Sequence, residues 1–141
     1  MNTDLMNTAT ARYAGQLRTE ATHVASGNVI HTDAPTDNHG RGEAFSPTDL
    51  VSTALGSCMM TIMGIVADRH KLNLVDSTFA VVKHMSAEAP RRIVQIDVTF
   101  TLPAALQPND RALLERAAYT CPVTLSLHPD IRQNVVFNYE V

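Results

Sequence analysis

The stretch Ser46–Lys71, SPTDLVSTALGSCMMTIMGIVADRHK, decides the fold, because no other part of the chain is both this apolar and this sharply bounded. Ser46, with Pro47 behind it and Asp49 three places on, reads as an N-cap, a proline in the first turn and an acid where the helix dipole favours one. Between Asp49 and Asp68 lie 18 residues without a formal charge, and their Leu, Val, Ile and Met side chains point in every direction when wound at 3.6 residues per turn. Such a helix has no face suited to water. At a length of about 35 Å it exceeds what one small chain wraps on all sides, so a second copy of the chain is the expected cover. Ser52, Gly56 and Gly64 leave room for another backbone, and Cys58 sits mid-helix. A membrane span is the rival reading at this length. Six of the 18 residues are Ser, Thr or Gly, no aromatic belt flanks them and no second such segment exists, so a buried soluble helix is preferred and no membrane partner is expected.

The 141 residues amount to one domain, with residues 1–10 polar and disordered or peripheral. A net charge of -3 argues against a nucleic-acid partner, which would call for a basic face. The first twenty residues lack the basic start and apolar core of a secretory signal. A cytoplasmic setting is therefore expected, where two cysteines stay reduced or cycle rather than forming a permanent staple.

Outward from the helix, Arg12–His23 alternates patchily and is followed by the Ser26-Gly27-Asn28 turn signal and VIHTDAP, which predicts a hairpin. Pro35–Phe45 is loop by composition and carries Arg41 and Glu43. Beyond Lys71 the period changes to two. STFAVVKHMS and RRIVQIDVTFTLP predict a second hairpin, with Val94, Ile96, Val98, Phe100 and Leu102 on one face. Asn109 is read as the cap of a short amphipathic helix, and Thr120-Cys121-Pro122 as the start of another, with Cys121 at or next to the cap. A last strand runs from about Arg132 to Tyr139. The order gives an α+β fold with antiparallel sheets.

Cys58 and Cys121 lie 63 residues apart, which excludes a CxxC loop or a zinc knuckle. Free cysteine is often just a small core hydrophobe. Cys121, however, starts a helix whose N–H groups can stabilise a thiolate. Cys58 is too far along its helix for that help, and needs a cation from elsewhere. Arg69 is about 16 Å away by the helical rise, which leaves Arg18, Arg41, Arg91 or Arg92. His23, His31 and His39 lack metal-ligand spacing, so neither a metal nor a bound cofactor is expected.

SPTDLVSTALGSC, followed much later by TCPVTLSLH and a closing strand, resembles the OsmC/Ohr family, named for osmotically inducible protein C and the organic hydroperoxide resistance protein. The likeness runs from about Tyr13 to Tyr139. It implies an intertwined homodimer, with antiparallel sheets wrapped around two long central helices. It also implies a thiol peroxidase acting on organic hydroperoxides in oxidative stress defence. Carried over by position, Cys58 attacks the hydroperoxide, Cys121 resolves the sulfenic acid to a disulfide, and an external dithiol or lipoyl-type reductant restores both. Arg18, in GQLRTE, matches the family's arginine. The hydroperoxide resistance branch has a glutamate after the helix-start proline, whereas this chain has Thr48; Asp49 and Glu43 are the acids nearby, with Arg41 as a further cation. The alternative is a dimer of the same fold whose cysteines are inert and which binds a small molecule or serves a structural role.

Overall fold

Three antiparallel strands, β1 (Ala9–Gly15), β2 (Arg18–His23) and β3 (Val29–Asp33), open the chain in the computed structural model, which describes residues 6–140. The stretch Arg12–His23, expected to be the first arm of a hairpin, is broken in two. Gln16 and Leu17 turn with φ of 53° and 63°, values for which Gln and Leu carry no sequence signature. The turn is fixed from outside: the Leu17 N–H donates to the Tyr13 hydroxyl at 3.2 Å, and the Leu17 carbonyl accepts from the Ala34 N–H at 3.0 Å. Of residues 1–10, expected to be disordered or peripheral, Ala9 and Thr10 belong to β1. They pair with His23 and Thr22, while residues 1–5 lie outside the described part.

The chain divides at Leu50/Val51 into two units. In the first, the fully buried side chains are Asp33 and Ser46, both polar, while Tyr13, Ile30 and Phe45 are 65%, 45% and 52% exposed. A three-stranded sheet stands alone only with an apolar face to bury, and this one buries none within the described chain. After β3 the loop doubles back through a 3-10 turn at Thr36–Asn38. Gly40 makes that possible, because a Cβ there would fall 1.7 Å from the Ala34 carbonyl oxygen. The unit ends in the first turn of α1 (Pro47–Arg69), closed by a reciprocal cap. Ser46 Oγ accepts from the Asp49 N–H at 3.1 Å, and Asp49 Oδ2 accepts from the Ser46 N–H at 3.0 Å.

In the second unit, α1 lines up Leu55, Met59, Met63 and Ala67, all buried, at helical spacing. They share one core with Ile96, Val98, Phe100 and Leu102. The other side of the helix is not covered by the described chain: Val51 and Ile65 are 38% and 44% exposed. The helix is long and apolar enough to cross a membrane, with a mean hydropathy of 1.8 over its most apolar 18 residues.

β4 (Thr78–Met85) and β5 (Ile93–Leu102) pair antiparallel as the period of two predicts. The register slips at their turn: His84 faces Gln95 but Met85 faces Ile93, so Val94 is the odd residue and Ile93 takes the core side in its place. β6 (Arg132–Tyr139) joins β5 in parallel, so this sheet is mixed where an antiparallel one was expected. The cause is the connection. α2 (Pro108–Ala118) and α3 (Pro122–Ser126) lie between β5 and β6, and a helical crossover returns a strand in the same direction. α2 begins at Pro108 with Gln107 in the cap position, two residues before the expected Asn109, as suits proline at the first helical position.

Candidate active site

Cys121 is the N-cap of α3, and its backbone is extended there because a cap residue stands half outside the helix. Pro122, fixed near helical φ, follows as the first helical residue. The cap group is the sulfur itself: Cys121 Sγ accepts from the Thr124 N–H at 3.3 Å and lies 3.1 Å from Thr124 Oγ1. Cys121 is fully buried.

Cys58 comes to the same turn from α1. Its thiol meets the Val123 N–H and the Cys121 side chain, so folding brings together two cysteines 63 residues apart in sequence. Both are free thiols. The Cys58 thiol is pushed above its ordinary value of 9.0, first by burial and then by Cys121, while the Val123 N–H pulls the other way. Around Cys58, Met59 and Met63 belong to the core, whereas on the α3 side Leu125 is 73% exposed and Tyr119 47%.

The arginine singled out in the sequence is the first residue of β2. Directly opposite on β3 stands Asp33, and the two form a fork: Arg18 Nε donates to Oδ1 at 2.7 Å and Nη2 to Oδ2 at 2.8 Å. Asp33 is fully buried and also accepts from the Glu43 N–H at 3.1 Å, through the loop that Gly40 allows to fold back. The Arg18 hydrogen bond holds the Asp33 carboxyl below its ordinary value of 3.8, against the opposing effect of burial. The same bond holds the Arg18 guanidinium above its usual range. Glu43 Oε1 lies 3.9 Å from Arg18 Nη2 and 4.0 Å from Arg41 Nη1, and Arg41 also donates to Gln16 Oε1. The Glu43 contacts are longer and more exposed than the Asp33 fork.

Asp49 is engaged in the α1 cap, and Thr48, in the place of the branch glutamate, lies 3.2 Å by its hydroxyl from Ser46 Oγ. The carboxylate that orients Arg18 is Asp33, which the sequence reading passed over. The signal for it was present: pairing β2 with β3 around the Gly27 turn sets Asp33 across from Arg18. Thr124 was missed for the same reason, being read only as one residue of a short helix. Among the described residues no group of three His, Cys, Asp or Glu side chains is arranged to hold a metal ion.

The family model for OsmC-like proteins matches residues 40–135 of the chain. The crystal structure of a protein from Psychrobacter arcticus, described as an osmotic stress induced and detoxification response protein, is 44% identical. The match covers 97% of this chain and 99% of that one with a TM-score of 0.92. An organic hydroperoxide resistance protein OsmC from Legionella pneumophila shares the fold at 16% identity, covering 96% and 99% of the two chains with a TM-score of 0.72. An OsmC-like protein from Mycoplasma pneumoniae does so at 14% identity over 96% and 99%, with a TM-score of 0.74. A search of curated proteins finds no match to this sequence.

Proposed function

The chain belongs to the OsmC-like protein family, and from that premise we propose that it is a dimeric, cytoplasmic cysteine peroxidase that reduces organic hydroperoxides. The observation that carries the proposal is the meeting of two free thiols at the head of α3. The Cys58 thiolate attacks the outer oxygen of ROOH, releases the alcohol and becomes a sulfenic acid. Cys121 then displaces its hydroxyl as water, leaving a disulfide, and an external dithiol returns both sulfurs to thiols. No bound cofactor takes part. Arg18, matched by position to the family's arginine and oriented by Asp33, is proposed as the cation that offsets the upward push on the Cys58 thiol. Leu125 and Tyr119, near Cys121 in sequence and exposed, are the apolar surface from which a preference for an organic hydroperoxide over hydrogen peroxide is inferred.

A second copy of the chain is part of the proposal. The open side of α1 and the coreless first sheet both expose apolar residues that a partner would cover. The decisive experiment is hydroperoxide consumption by single-cysteine variants. Cys58→Ser abolishes it, and Cys121→Ser gives one turnover and stops; parental consumption of cumene hydroperoxide by Cys58→Ser overturns the proposal. One observation favours a second reading, a binding or structural protein with inert thiols: within its own surroundings Cys58 is pushed toward the neutral form. Titration of the native protein with a thiol reagent at neutral pH separates the two, because inert thiols react only on denaturation.

A further inference from the structure

The head of α3 distributes its donors between the two sulfurs. The Val123 N–H serves Cys58 and the Thr124 N–H serves Cys121, whose own thiol donates to the Thr124 hydroxyl. Backbone N–H groups are donors only. A hydroxyl, by contrast, accepts from a thiol S–H and, after turning about its C–O bond, donates to a thiolate. Thr124 Oγ1, 3.1 Å from Cys121 Sγ, is therefore the group at this turn that can follow the Cys121 proton through the reaction.

We propose that Thr124 is the positioning residue of the resolving step, holding Cys121 Sγ toward Cys58 and switching from acceptor to donor as Cys121 loses its proton. This rests on the thiol-pair reading above. In that step a Cys121–Cys58 sulfur–sulfur bond forms and the S–OH bond of the Cys58 sulfenic acid breaks. The departing hydroxide takes the proton given up by Cys121 and leaves as water. Cys121 is oxidised, and the electron pair stays with the departing oxygen. The negative charge left on Cys121 as its proton departs meets two donors, the Thr124 N–H and O–H.

Thr124 is only partly buried, and its other contact, the carbonyl that accepts from Gln133 Nε2 at 3.1 Å, is backbone. Replacing it with valine thus removes the hydroxyl and keeps the shape, the N–H and the carbonyl. The test isolates the resolving step from hydroperoxide chemistry: Cys58 is loaded as a mixed disulfide with nitrothiobenzoate, and Cys121 displaces the coloured thiolate, its own proton passing to solvent. Thr124→Val releases the dye about tenfold more slowly than the parent, the loss expected for one hydrogen bond to a charged sulfur. Thr124→Ser restores the parental rate, which a merely packed threonine would not require. Thr124→Ala gives the slow rate too, and replaces the valine variant should that one fold poorly. Release from Thr124→Val or Thr124→Ala at the parental rate, or from Thr124→Ser as slowly as from Thr124→Val, overturns the proposal. A parent that shows this pattern of release yet consumes no hydroperoxide retains the Thr124 role and loses the peroxidase.

Discussion

Gly56 lies on α1 two residues before Cys58, and a Cβ placed on it would sit 2.5 Å from both Cδ2 and Cε2 of Phe79. Carbon atoms rest comfortably at about 3.5–4.0 Å, so Gly56→Ala forces the ring or the helix back by about 1 Å or more. The ring has little freedom to yield. Its centroid is 6.0 Å from that of Phe100, which is fully buried and stacked on Phe137 at 5.3 Å. Two effects compete. Alanine favours a helix interior over glycine by about 1 kcal/mol. Overpacking a tight core costs about 1–3 kcal/mol, and the fully buried Phe100 behind the partly buried Phe79 ring puts this site toward the upper end. The clash wins by about 1–2 kcal/mol, which for a chain of this size lowers Tm by about 3–8 °C. The assay is thermal unfolding followed by circular dichroism at one fixed protein concentration, since an associating protein has a concentration-dependent Tm. Phe79→Leu supplies the second corner of a double-mutant cycle, in which trimming the ring relieves the alanine by about 1 kcal/mol of coupling. A Gly56→Ala protein that melts at or above the parental temperature, or a cycle without coupling, refutes the reasoning.

Three further outcomes are expected. Gly64, on the same helix, has nothing within 4 Å of its would-be Cβ, so Gly64→Leu is harmless to the single chain but lifts a partner helix away. Sedimentation should record loss of the dimer, and an intact dimer at the parental concentration removes this side of α1 from the interface. Asp33 is held below 3.8 by Arg18, so its contribution to stability is present above that pH and is lost as pH falls through the lowered value. Asp33→Asn should therefore be less stable than the parent at neutral pH, with the two denaturation midpoints converging in acid; a gap that persists unchanged to pH about 2 counts against the fork. Cys58 is pushed above 9.0, so its thiolate appears only as pH rises unless a cation opposes the push. Arg18→Gln should slow alkylation of Cys58 at pH about 7 by about tenfold, the equivalent of one pH unit, and alkylation at the parental rate takes Arg18 out of the mechanism.

What the sequence made legible was what local chemistry determines. Ser46, Pro47 and Asp49 mark the start of α1 because a cap is satisfied within one turn of chain, and Cys121-Pro122 marks α3 for the same reason. The strict alternation of β5 placed Ile96, Val98, Phe100 and Leu102 in the core because side-chain direction in a strand depends on nothing but parity. Two of the misses depend on groups outside the local stretch: the Gln16-Leu17 turn is held from Ala34 as well as Tyr13, and Val94 loses its core place to a bulge set by β4. The parallel β6 is of another kind, since the two helices before it were legible and their crossover dictates its direction. The Asp33–Arg18 fork belongs with the first two, since it becomes visible only once β2 and β3 are in register.

The lesson bears on how this site handles the missing branch glutamate. A carboxylate after the helix-start proline would reach the arginine from α1, and its position would depend on how the helix meets the strands. Asp33 reaches Arg18 from the neighbouring strand, in a ladder whose pairing runs from Arg18↔Asp33 to Thr22↔Val29. An orienting acid on the adjacent strand shares the arginine's own rigid frame, so the fork is formed by sheet pairing alone. The Thr48 hydroxyl lies beside Ser46 at the helix cap. Whatever residue follows the helix-start proline, Arg18 in this chain is held in place from β3 by Asp33.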